Sequence, residues 1–79
     1  MPLVVPDLAI DEFVRVSLWL VPQGASVPVG DRVVELLVST ATIDLESPID
    51  GRIVRQCVDE DEIVGPGVLL AEIEPTEGA

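Results

Sequence analysis

Few residues in this 79-residue chain could do chemistry. They are one thiol, Cys57; four consecutive carboxylates, Asp59-Glu60-Asp61-Glu62; and the hydroxyls of Ser39 and Thr40, which interrupt two apolar runs. Histidine, tyrosine and lysine are absent. The usual acid–base and nucleophile constellations cannot be assembled without them, so no enzyme is expected. A threonine hydroxyl is short, branched and unreactive without an adjacent base. The acidic run lacks the spacing of a calcium loop, and successive side chains of an extended segment point to alternate sides. It reads as a solvated acidic turn that could face a basic partner, and no metal site is expected. Cys57 has no histidine or lysine to activate it and shares the alternation of Ile53, so an inward-facing small hydrophobe is the expected role.

These groups must be placed by strands. Val14, Val16, Leu18 and Leu20 alternate with Arg15, Ser17, Trp19 and Val21, a period of two with one buried face. That reading turns Leu18 and Leu20 inward and sets Trp19 on the opposite face, exposed to a partner or held structurally. Pro22-Gln23-Gly24-Ala25-Ser26 breaks the run, and Val27 to Asp31 forms a short extended piece ending in a turn. Val33–Val38 and Thr42–Leu45 read as paired strands, with Ser39-Thr40-Ala41 as the tip of their hairpin. Turns at Pro48–Gly51, Asp59–Glu62 and Gly65–Gly67 set off strands at Arg52–Val58 and Val68–Ile73.

Composition agrees with a single all-β domain. Apolar residues form 48 % of the chain but aromatics only 3 %, so the core must be valine, isoleucine and leucine, which suit a pleated sheet. A chain this short supports one domain, 1–79, with its core between about 3 and 74 and a frayed tail from 75 to 79. The net charge is −11, with arginine only at 15, 32, 52 and 55. Such a surface repels phosphate backbones and anionic lipid, so neither nucleic acid nor membrane is an expected partner. A basic protein surface is the complementary class. One cysteine, no basic leader and no apolar run near the ~20 residues of a membrane span give a cytoplasmic expectation.

An internal repeat organises the chain. A shift of 37 residues takes Gly30 to Gly67, Val27 to Val64, Val16 to Ile53, Leu20 to Cys57, Val33 to Leu70, Glu35 to Glu72 and Leu36 to Ile73. Two similar half-domains of about four strands each would bury their apolar faces against one another.

Pro6-Asp7-Leu8, Trp19, Gly24, Val27, Gly30-Asp31, Glu35, Ala41-Thr42, Ser47-Pro48, Gly51, Val64, Gly67 and Leu70-Ala71-Glu72-Ile73, in that order and spacing, resemble the lipoyl domain. That family supplies swinging-arm carriers to 2-oxo acid dehydrogenase complexes and is related to the biotinyl carriers of carboxylases. The resemblance implies a flattened barrel or sandwich of two four-stranded antiparallel sheets with pseudo-two-fold symmetry. The family tip reads Asp-Lys-Ala in lipoyl domains and Met-Lys-Met in biotinyl ones. Here Ser39-Thr40-Ala41 stands in its place, Ala41 favouring the lipoyl type and Thr40 replacing the acceptor lysine. Ala9 stands where a glycine usually follows Pro-Asp-Leu. In the family, the loop holding Asp11 and Glu12 lies beside the modified hairpin. Asp11, Glu12, Ser39, Thr40 and Ala41 are therefore the expected partner contacts. No cofactor is expected, because the ligases of this family acylate an ε-amine. The expected function is a carrier-shaped interaction or structural module docking on a carrier-using enzyme or ligase. The alternative is a genuine lipoyl carrier, less readily a biotinyl one, whose lysine is replaced by Thr40.

Overall fold

The computed structural model describes residues 1–8 and 13–76. Those residues form eight strands and no helix: β1 Pro2–Val4, β2 Val14–Trp19, β3 Ser26–Val27, β4 Arg32–Val38, β5 Ala41–Glu46, β6 Gly51–Gln56, β7 Ile63–Val64 and β8 Leu69–Pro75. Among the described residues no helix is long and apolar enough to cross a membrane. Two four-stranded antiparallel sheets result, ordered β1-β8-β6-β3 and β5-β4-β2-β7. They face one another over a core of Val16, Val33, Val34, Leu36, Ile53, Leu70 and Ile73, all essentially without solvent contact. This is the expected all-β sandwich.

The halves do not each make one sheet. Each sheet takes strands from both, with β2 and β4 joined by β5 and β7, and β6 and β8 joined by β1 and β3. Neither half could bury its apolar side alone, and interleaving β1, β3, β5 and β7 caps both sheets with the other half's residues. The last strand continues through Pro75, and the Thr76 N–H donates to the Asp50 carbonyl at 3.1 Å, so pairing extends into the expected tail.

The 37-residue repeat survives in the hydrogen bonds. Gly24 N–H donates to Ile53 O and Asp61 N–H to Val16 O; Ile53 N–H donates to Ala25 O and Val16 N–H to Glu62 O. Even the irregularities repeat, because register slips between Val16 and Leu18 in β2 and between Ile53 and Arg55 in β6. Ser17 and Val54, the equivalent residues, are thus both bulged. A bulge inserts one residue and reverses the facing of all that follow.

That reversal corrects the expectations for Leu18, Leu20 and Cys57 and gives Trp19 the structural one of its two expected places. Leu18 and Leu20 are exposed, at 45 % and 39 %, rather than inward. Cys57 is only half-buried, and its neighbour Val58 takes the core position. Trp19, opposite Val34, turns inward against the core.

Gly24 and Asp61 occupy equivalent turn positions, and both have positive φ, 93° and 71°. Aspartate tolerates the left-handed region at a cost that glycine avoids. Asp61→Gly is therefore expected to raise stability by about 0.5–1 kcal/mol, read as a higher urea midpoint.

Candidate functional site

The hairpin tip is built by the β4–β5 ladder, in which Val38 pairs with Ala41 and leaves only Ser39 and Thr40 as loop residues. Two-residue hairpin loops need positive φ at the first or both central positions, to match the twist of the strands. Ser39 has φ 57°, whereas Thr40 does not lie in the positive region. The arrangement suits the residues, since a β-branched side chain at positive φ is a steric outlier. Glycine would relieve the first position. Ser39→Gly should stabilise by about 0.5–1 kcal/mol, a rise in Tm of roughly 2–8 °C by calorimetry.

Ser39, Thr40 and Ala41 are all exposed. The structure therefore brings these three expected contacts together at one apex. Asp11 and Glu12, with Ala9, lie outside the described residues. Phe13 precedes Val14, which pairs with Val38 on one side and Val64 on the other, so Phe13 lies at the tip end of the sheet and is 81 % exposed.

Chemically the apex offers two alcohols, the primary hydroxyl of Ser39 and the secondary hydroxyl of Thr40. Amide attachment of a prosthetic group needs an amine on a flexible stem, and no lysine stands anywhere in the chain. The α-amino group of Met1 donates to Ile73 O at 2.8 Å, on the β8 strand of the other sheet. That site is at the far end from the tip, the end at which β5 hands the chain to β6. Arg32 and Asp44 meet across the hairpin at 3.7 Å, an exposed pair that contributes little. No group of three or more potential metal ligands forms among the described residues.

A second feature, not anticipated from the sequence, lies on the pseudo-two-fold axis. Trp19 N–H donates to Glu60 Oε2 at 2.9 Å, and Gln56 N–H donates to Gln23 Oε1 at 2.8 Å. Trp19 Nε1 donates to Val58 O at 3.0 Å, and Gln56 Nε2 donates to Val21 O at 2.9 Å. The 37-residue shift relates Trp19 to Gln56, Val21 to Val58 and Gln23 to Glu60, so these are two copies of one pair of bonds. Applying the shift to Trp19 and Gln23 would have revealed it. The open groove lined by these residues is accordingly braced by side chains already engaged with backbone. Trp19 is structural here, and Glu60 of the acidic turn is a cap for it.

Comparison with known proteins agrees with this architecture. The family model for biotin/lipoyl attachment, described as "Biotin-requiring enzyme", matches residues 2–73. Among solved structures, a single-chain, multi-domain long-chain acyl-CoA carboxylase is similar, with 26 % identity and a TM-score of 0.82. The match covers 100 % of this chain and 7 % of that protein. No curated protein matches. The similar structure is a carboxylase rather than a 2-oxo acid dehydrogenase, the setting that the lipoyl-type residues suggested. Fold, hairpin, repeat and family match converge, and the chain belongs to the biotin/lipoyl attachment family.

Proposed function

We propose that this chain is a biotin/lipoyl-type domain without a prosthetic group, acting as a non-catalytic docking module in a carboxylase-type assembly. One observation carries the reading: the apex that holds the acceptor lysine in the family is kept as a two-residue hairpin, but its second residue is Thr40. A biotinyl or lipoyl group does not fit these residues, because no amine is available at the apex and the only amine in the chain is bonded into the opposite sheet. The similarity to an acyl-CoA carboxylase supports a carboxylase setting. The partner is a carrier-using enzyme or a ligase, met through the tip and through a basic surface complementary to the net charge of −11.

Retention of the hairpin geometry favours a second reading, a carrier whose lysine has been exchanged for Thr40. One experiment separates the two. Wild type and Thr40→Lys are each incubated with biotin ligase, biotin and ATP, and with lipoate ligase, lipoate and ATP, and their intact masses are measured. The docking-module reading expects wild type to stay unmodified in both mixtures. A mass gain of one biotinyl or lipoyl group on wild type overturns it. Thr40→Lys places an amine on a flexible stem at an exposed position of the turn. If it gains the group, the surface read by the ligase is intact and the exchanged-lysine reading gains ground. If it stays unmodified, the divergent module is favoured.

A further inference from the structure

The pseudo-two-fold symmetry supplies an internal control for the outer faces of the two sheets. On the β1-β8-β6-β3 sheet the cross-strand row Ser26–Arg52–Glu74 is polar throughout, and Arg52 reaches Glu74 at 3.8 Å. Past the Val54 bulge, Arg55 lies opposite Glu72. The equivalent row on the β5-β4-β2-β7 sheet is Ile63–Arg15–Leu37, and Leu18 lies opposite Glu35. Isoleucine thus replaces serine, leucine replaces glutamate, and leucine replaces arginine, while Phe13 stands where the other half has Asp50.

Three of these apolar side chains are substantially exposed: Phe13 81 %, Ile63 52 % and Leu18 45 %. Leu37 is half-buried but is not packed into the core. Folding does not require them, since the other half builds the same strands with charged and polar residues on that face. Apolar residues gathered in one row, where the equivalent row of the other sheet is polar throughout, mark a contact surface.

We infer that the outer face of the β5-β4-β2-β7 sheet, around Phe13, Leu18, Leu37 and Ile63, docks a protein partner presenting apolar side chains within a lysine- or arginine-rich surround. The occupant follows from charge. Glu35, Asp44 and Glu46 rim the patch on β4 and β5 against the single guanidinium of Arg32, which meets Asp44 at 3.7 Å, so that rim is net acidic. Arg15 at its centre is turned to the Asp61 carbonyl, at 3.4 Å. A second copy would bring −11 against −11, which disfavours self-association. The inference deepens the docking-module reading and rests on it for the existence of a partner. It also places that partner beside the Ser39–Thr40 tip, which joins two strands of the same sheet.

The test is titration of the isotope-labelled full chain with a short peptide of alternating leucine and lysine, followed by amide chemical shifts. The variant Phe13→Asp/Ile63→Ser carries what the other face carries, so it should fold and melt as wild type does. Wild type is expected to bind the peptide with shifts concentrated on β2, β4 and β7, and affinity should fall about tenfold or more in the variant. The variant is more negative than wild type, so attraction by charge alone would strengthen its binding. Equal or tighter binding by the variant, shifts spread over both faces, or no binding by wild type overturns the inference. So does a wild-type dimer in sedimentation that the variant abolishes, because the face would then be covered by a second copy. A wild type that gains a prosthetic group yet binds the peptide on this face sinks only the docking-module reading. One that stays unmodified yet fails to bind sinks only this surface.

Discussion

Leu36→Ala is expected to remove about 2–5 kcal/mol of stability, while Leu18→Ala changes it by less than about 0.5 kcal/mol. Both leucines lie on long central strands of the same sheet, and the alternation Val14, Val16, Leu18 would place Leu18 inside. Leu36 has no solvent contact and sits among Val16, Ile53 and Ile73 in one core, so its truncation loses transfer energy and leaves a cavity that close-packed neighbours only partly fill. Leu18 follows the Ser17 bulge and faces solvent. A domain of this length has a total stability of roughly 4–12 kcal/mol, so Leu36→Ala consumes much of it. Urea denaturation followed by circular dichroism measures both. Comparable losses in the two variants would show that the bulge does not reverse the strand.

Gly51→Ala should cost about 3 kcal/mol and lower Tm by roughly 12–24 °C, a large penalty for one methyl group. A Cβ at this position would meet the Glu74 carbonyl oxygen at 2.6 Å and Ile73 Cγ2 at 2.7 Å. The carbonyl belongs to the backbone of β8, which pairs with β6 along its whole length, so it cannot swing aside as a flexible side chain would. Gly51 is therefore a spacing residue, and its backbone conformation is one that any residue can adopt. The repeat sharpens the point, because its equivalent is Val14, which is buried. What excludes a side chain at 51 is the local approach of β8, not a demand of the fold. Gly65, with open space around an added Cβ, serves as the control, and Gly65→Ala should leave Tm close to wild type.

These two substitutions act on the frame that presents the tip, and Ser39→Gly acts on the tip itself. The tip differs from the frame in how its properties arise. That no amine is available at the apex is a matter of residue types, independent of any coordinate. Whether a partner meets Thr40 depends on what surrounds it, and the apolar face of the same sheet exists only because β2, β4 and β7 are paired side by side.

The sequence by itself determined that the chain is all-β, where its turns fall, that it contains an internal repeat, and that it has no lysine at the hairpin. Each of these is local: β-branched residues, Gly and Pro spacing, and a fixed offset of 37 residues are written in neighbouring positions. Tertiary structure alone decided which side of each strand faces inward beyond Ser17 and Val54. Period-two alternation carries no mark of a bulge, which exists only as a slip between two paired strands. For that reason alternation assigns Leu18, Leu20 and Cys57 to the interior, whereas the structure exposes the two leucines and gives the core position to Val58. The same cause hides the exchange of edge strands between sheets and the contrast between the two outer faces, both of which are relations between residues far apart in the chain.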